Sequence, residues 1–113
     1  MRSDREKILD ILEAIDKIEK YAGQGRRAFE KDELIQVWVV HHLQVIGEAA
    51  GRLSEDFRSK MPHIPWAQIV AMRNILVHTY FSADLEEVWS AAENDLPELK
   101  KAFKEILDKM PRD

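Results

Sequence analysis

Apolar residues recur along the chain at helical spacing, and they define the elements. Ile8, Ile11, Leu12, Ile15 and Ile18 fall on one stripe of a first helix that Ser3 or Asp4 can cap, and Gly23-Gln24-Gly25 ends it. Arg26 to Lys31 reads as a connection with Phe29 packed beneath it. Asp32 opens a second helix to about Leu53, whose apolar positions cover most of its circumference, from Leu34 and Ile35 through Val37–Val40 to Ala49, Ala50 and Leu53. A helix apolar nearly all round is central, or it faces a core on one side and a partner chain on another. Ser54 starts a short extra turn, and Pro65 suits the first turn of a third helix running from about Trp66 to His78. Asp84-Leu85-Glu86-Glu87 is a capping-box pattern for a fourth helix carrying Leu85, Val88, Trp89 and Ala92. Pro97, with no N–H to donate, either kinks that helix or sits in the first turn of a fifth. Leu99, Phe103, Ile106, Leu107 and Met110 complete a last amphipathic stripe. The expectation is an all-α, up-and-down bundle of four to five helices, with residues 1–113 forming one domain.

Composition narrows the function classes. The chain has no cysteine, which excludes a disulfide scaffold, a thiol nucleophile and a cysteine zinc site, and fits a reducing, cytoplasmic setting. No unbroken apolar run is longer than the four residues of Val37–Val40, far too short to span a bilayer. The formal net charge is −4, whereas sequence-independent nucleic-acid binders carry a basic excess that displaces counterions from phosphates. A nucleic-acid role therefore requires a local site. No cofactor is implied. His41 and His42 are consecutive and point to different faces of a helix, so they do not form the i,i+4 pair that a metal favours, and no metal site is expected.

The most informative segment is Met72-Arg73-Asn74-Ile75-Leu76-Val77-His78-Thr79-Tyr80. On a helical wheel Arg73 shares a side with Trp66, Ile69, Leu76 and Val77, and a guanidinium on such a stripe must be paired or face something polar. Asn74 and His78 are four residues apart, so the amide can orient the imidazole. Arg73 and His78 lie about 140° apart on a regular helix. They converge within one chain only if the helix ends near Val77, and otherwise only if two chains combine their sites. Two readings of these residues stand side by side. In one, Arg73 pairs with a core acid such as Glu48 and His78 packs. In the other, the segment cleaves phosphodiesters without a metal: His78 takes the proton of an RNA 2′-hydroxyl, Arg73 holds the phosphate and its developing charge, and Asn74 fixes the ring tautomer or positions the phosphate. Gly47 and Gly51, with Ala49 and Ala50, form a small-residue patch suited to close helix packing. Glu48 in that patch has a supporting catalytic role as its second reading.

Arg73-Asn74-x-x-x-His78-x-Tyr80 resembles the R-x4-H-x-Y motif of HepT-like toxins in the HEPN superfamily. The similarity extends to Ile8–Ile15, Ile46-Gly47-Glu48-Ala49-Ala50, Ile64-Pro65-Trp66, Asp84-Leu85 with Val88-Trp89, and Asp95-Leu96-Pro97. The resemblance implies a HEPN-like helical homodimer acting as a metal-independent endoribonuclease, the toxin of a toxin–antitoxin system, with Arg73, Asn74 and His78 at a dimer groove. It also implies an MNT-type nucleotidyltransferase antitoxin that transfers AMP onto the motif tyrosine, here Tyr80, whose added phosphates would occupy Arg73. The alternative is a non-catalytic subunit that presents substrate to a minimal nucleotidyltransferase.

Overall fold

The computed structural model describes the backbone of residues 3–79 and 85–110, and the side chains of these residues other than 74–79. Helix α1 (Asp4–Ala22) begins with a complete capping box: the Ser3 hydroxyl accepts from the Glu6 amide at 3.2 Å, and the Glu6 carboxylate accepts from the Ser3 amide at 3.1 Å. Its stripe is buried as expected, with Ile8, Ile11, Ile15 and Ile18 wholly inaccessible. Gly25, at φ 103°, turns the chain through a left-handed conformation that only glycine adopts without strain. The segment expected as a connection is itself a one-turn helix, α2 (Arg26–Lys31). It is too short to show a period. Phe29, wholly buried and 5.2 Å from Trp89 by ring centroids, fastens it to the core.

Asp32 caps α3 (Glu33–Gly51) by accepting from the Leu34 amide at 2.9 Å. This helix is central, packed on α1 along one flank and on α5 along another. Its buried line runs Ile35, Val39, Val40, His42, Leu43, Ile46, Gly47 and Ala50. Ser54 caps the short α4 (Glu55–Ser59), and the same serine donates to the Asp4 carboxylate at 2.7 Å, tying this corner to the start of α1. Helix α5 (Trp66–Thr79) follows. The Trp66 indole N–H is shared by the Arg58 and Met61 carbonyls, at 3.1 and 3.0 Å, while its ring stacks on Phe103.

The final rod is continuous. Helix α6 (Leu85–Ser90) runs through a wide π-helical turn, Ala91–Asp95, into α7 (Leu96–Lys109). Pro97 occupies the first turn of α7, so of the two readings of this proline the first-turn one holds. Because Pro97 cannot donate to a carbonyl one turn back, the widened turn just before it is where the α ladder is already interrupted. Leu96, Leu99, Phe103 and Ile106 bury the inner face of α7, and Lys100 reaches α1 to pair with Glu19 at 2.6 Å and Asp16 at 3.1 Å. The Arg26–Glu86 ion pair joins α2 to α6. Among the described residues there is no strand, and no helix is long and apolar enough to cross a membrane. The cap expected at Asp84 lies outside the described residues.

Candidate functional site on helix α5

Helix α5 approaches α3 unusually closely at one point, and that point is Arg73. A Cβ on Gly47 would lie 2.8 Å from the Arg73 backbone nitrogen, 3.2 Å from the Arg73 Cβ and 3.2 Å from the Ile69 carbonyl oxygen. Only a residue without a side chain permits this contact, so the close-packing role expected of Gly47 is present. Gly51, one turn on, faces Val70 at an ordinary 3.5 Å. Ile69 fills the helix interface while Arg73, four residues later, is exposed. The backbone of Arg73 is thus pinned against α3 while its guanidinium, a permanent cation, stands in solvent.

The expected Arg73–Glu48 salt bridge is absent. Among the described residues Arg73 makes no ion pair, and Glu48 is exposed on the α1 side of α3. The reason is geometric. Gly47 takes the position that faces α5, and the next residue is turned about 100° away from it. Glu48 lines a groove between α1 and α3 instead.

Helix α5 extends to Thr79, so it does not end near Val77. Positions 73 and 78 therefore lie about 140° apart around one continuous axis, and one-chain convergence by an early helix end does not occur. Positions 74 and 78 share one face. Tyr80 lies outside the described residues.

A residue not singled out as functional in the sequence is the most deeply placed polar side chain of the described core. His42 is 7% exposed, the one polar or charged residue in the buried set. Its Nδ1–H donates to the Trp38 carbonyl at 2.8 Å and its ring lies 4.4 Å from that indole. Burial pushes the imidazole below its ordinary pKa, helped by His41 and Lys17 and opposed by the Trp38 carbonyl and Glu13. The signal was present in the spacing, because His42 shares the apolar line of Val39, Leu43 and Ile46 on α3. Among the described residues no three His, Asp or Glu side chains converge as a metal site would require.

The described residues form an all-α bundle with one solvent-facing arginine, Arg73, at the crossing of its central helix with α5. Residues 11–106 match the Ribonuclease HepT-like family, and the chain belongs to that family, within the HEPN superfamily. It is 39% identical over 101 residues to "Putative RNase MJ1216" of Methanocaldococcus jannaschii, covering 88% of this chain and 84% of the relative. It is 35% identical over 106 residues to "Probable ribonuclease HepT" of Thermococcus cleftensis, covering 93% of this chain and 96% of the relative. With "Putative RNase TTE0752" of Caldanaerobacter subterraneus it shares 38% identity over 92 residues, covering 81% and 82%. No solved structure matches.

Proposed function

We propose that the protein is a metal-independent endoribonuclease, the toxin of a toxin–antitoxin pair, whose site is assembled by two copies of the chain. Family membership and relatives named as ribonucleases support RNA cleavage. The observation that carries the site reading is Arg73. A core arginine would be paired or shielded, whereas this one is exposed and, among the described residues, without an ion pair, on a backbone held against α3 at Gly47. Such a group suits bidentate contact with a phosphate. The helix geometry supports a dimer, since Arg73 of one copy and His78 of the other can meet across a two-fold groove where those of one chain diverge. Leu34, 80% exposed, and Val37, one turn along α3, offer apolar surface for such an interface.

In the proposed reaction His78 removes the 2′-hydroxyl proton, the 2′-oxygen attacks the adjacent phosphorus, and the bond to the 5′-oxygen breaks. The leaving oxygen takes a proton from water. Arg73 stabilises the charge on the phosphoryl oxygens, and Asn74 orients the imidazole. The products are a 2′,3′-cyclic phosphate and a 5′-hydroxyl. The antitoxin, an MNT-type nucleotidyltransferase, silences the site by transferring AMP to Tyr80, which places phosphates against Arg73.

The test is cleavage of RNA in the presence of chelator by wild type, Arg73→Ala and His78→Ala, with end-group analysis. Each substitution should lower the rate by about 10²–10³ while the protein stays folded and dimeric by light scattering. Tyr80→Phe should cleave normally and take no AMP-sized mass increase from antitoxin plus ATP. Normal cleavage by His78→Ala, or dependence on a divalent metal, would overturn the mechanism.

A further inference from the structure

The crossing of α3 and α5 brings a further polar side chain to the candidate site. Gly47 meets the backbone of Arg73 and Gly51 meets Val70, so the two helices run antiparallel. Gln44, three residues before Gly47, therefore stands level with about position 76 of α5. Around the axis of α3 it falls between Gly47, which faces α5, and the exposed Glu48. On α5 that outer side begins at Val70, the residue that Gly51 faces, and continues in steps of four to positions 74 and 78. Ile69 is buried on the opposite side. Gln44 thus sits in the valley between the two helices, beside the positions of Asn74 and His78 and one turn from the crossing at Arg73.

Another glutamine of α3 shows what a structural role looks like. Gln36 spends its side-chain amide on the Phe29 and Glu30 carbonyls, at 3.0 and 3.2 Å. Gln44 is half-buried, and among the described residues its amide has no hydrogen-bond partner. No described side-chain nitrogen or oxygen is both buried and without a partner, so the Gln44 amide nitrogen and oxygen both reach the surface of the valley. The stem is held while the two N–H donors and the carbonyl acceptor stay open to a ligand. A carboxylate here would repel a phosphate backbone, and a cation would attract any phosphate alike. A neutral amide instead sets a donor beside an acceptor, the pattern that pairs with the N7 and N6 amine of adenine. On the same edge guanine offers two acceptors, cytosine one donor and uracil one acceptor, so each leaves half of the amide unpaired.

We propose that Gln44 is the specificity-determining residue of RNA cleavage: it reads the base of the nucleotide whose 2′-hydroxyl is attacked and selects adenine there. The inference rests on the ribonuclease reading of Arg73 and His78. Packed helix axes lie about 8–10 Å apart, comparable to the reach from a ribose 2′-hydroxyl to the far edge of its own base. His78 on α5 and Gln44 on α3 of one copy therefore address a single unpaired nucleotide, the sugar at one helix and the base at the other. The amide donates to N7 and accepts from the N6 amine.

The experiment uses short RNA strands with one cleavable linkage, every other 2′-hydroxyl being methylated. The base before that linkage is adenine, guanine, cytosine, uracil or purine, the last being adenine without its amine. In kcat/KM, wild type should cleave the adenine strand at least about tenfold better than the purine strand. Gln44→Leu, which keeps the bulk and removes the amide, should lose about that factor on adenine and cleave the two strands alike. Arg73→Ala should slow both strands together and keep their ratio. NMR of the labelled glutamine side chains in wild type needs neither a variant nor turnover, and it decides with the wild-type rates if Gln44→Leu fails to fold. On addition of a strand with 2′-deoxyadenosine at the cleavage position, the Gln44 amide should shift and the Gln24 amide should not. Equal wild-type rates on adenine and purine, a preference that survives Gln44→Leu, or an unmoved Gln44 amide would overturn the inference and leave the ribonuclease reading standing. If wild type cleaves none of the strands, the ribonuclease reading falls and this inference falls with it.

Discussion

Gly47 and Gly51 sit one turn apart on the same helix, and the structure assigns opposite signs to the same substitution at the two. Replacing a helical glycine by alanine relieves backbone entropy worth up to about 1 kcal/mol. At position 51 nothing opposes that gain, because the new methyl meets Val70 at 3.5 Å, an ordinary contact. Gly51→Ala should therefore stabilise the protein by up to about 1 kcal/mol. At position 47 the methyl arrives 2.8 Å from a backbone nitrogen and 3.2 Å from a carbonyl oxygen, roughly half an ångström inside normal contact. Both atoms belong to the backbone of α5, so no rotamer change relieves them and the helices must move apart. Overpacking of this kind costs about 1–3 kcal/mol, which leaves Gly47→Ala destabilised by up to about 2 kcal/mol after the entropy gain. Thermal unfolding followed by circular dichroism measures both, with melting temperatures expected to move in opposite directions by about 4 °C or more per kcal/mol. The displaced segment carries Arg73, so Gly47→Ala should also lose RNA cleavage beyond its loss of stability, at a temperature where it is fully folded. A Gly47→Ala protein as stable as Gly51→Ala would refute the close crossing at Arg73 and with it the rigid placement of the arginine.

Two further outcomes are expected. His42 has its folded-state pKa depressed below the ordinary 6.5, so the unfolded chain binds the proton more readily. Stability from this group is complete above about pH 6.5, declines as the pH falls below it, and levels off once the native imidazole is also protonated. Urea midpoints between pH 5 and 7.5 should show a shallower decline in His42→Gln than in wild type, and identical slopes would remove His42 as the cause. Ser3→Ala removes the acceptor of the Glu6 amide and should cost about 1 kcal/mol, whereas Ser3→Asp should retain most of the stability in the same assay.

Much of the framework was legible because long helices repeat their signal. The Ile8–Ile18 stripe, the Asp32 cap and the amphipathic line of α7 are where the periodicity puts them. The α2 turn escaped because six residues hold less than two helical turns, too few for a period. Phe29 was still legible as a packed residue. Around the site, the motif could be read but the partner of Arg73 could not. A wheel places Gly47 and Glu48 about 100° apart on α3 but does not say which of them meets α5, and the neighbouring helix decides that. His42 was read only against its neighbour His41, which hid its place on the apolar line. Pro97 flagged an irregularity, but only packing distinguishes a kink from a widened turn.

That widened turn sets the phase of everything after it. A π turn accommodates about one residue more than an α turn spanning the same rise, and each residue advances a helix by about 100°. Winding Ala91–Asp95 into a regular α ladder with every residue retained would advance α7 by about 100°, swing Leu99, Phe103 and Ile106 together toward solvent and carry Lys100 off its carboxylates on α1. The irregularity acts as a spacer in the reading frame of the last helix, so an ideal helix here would belong to a different core.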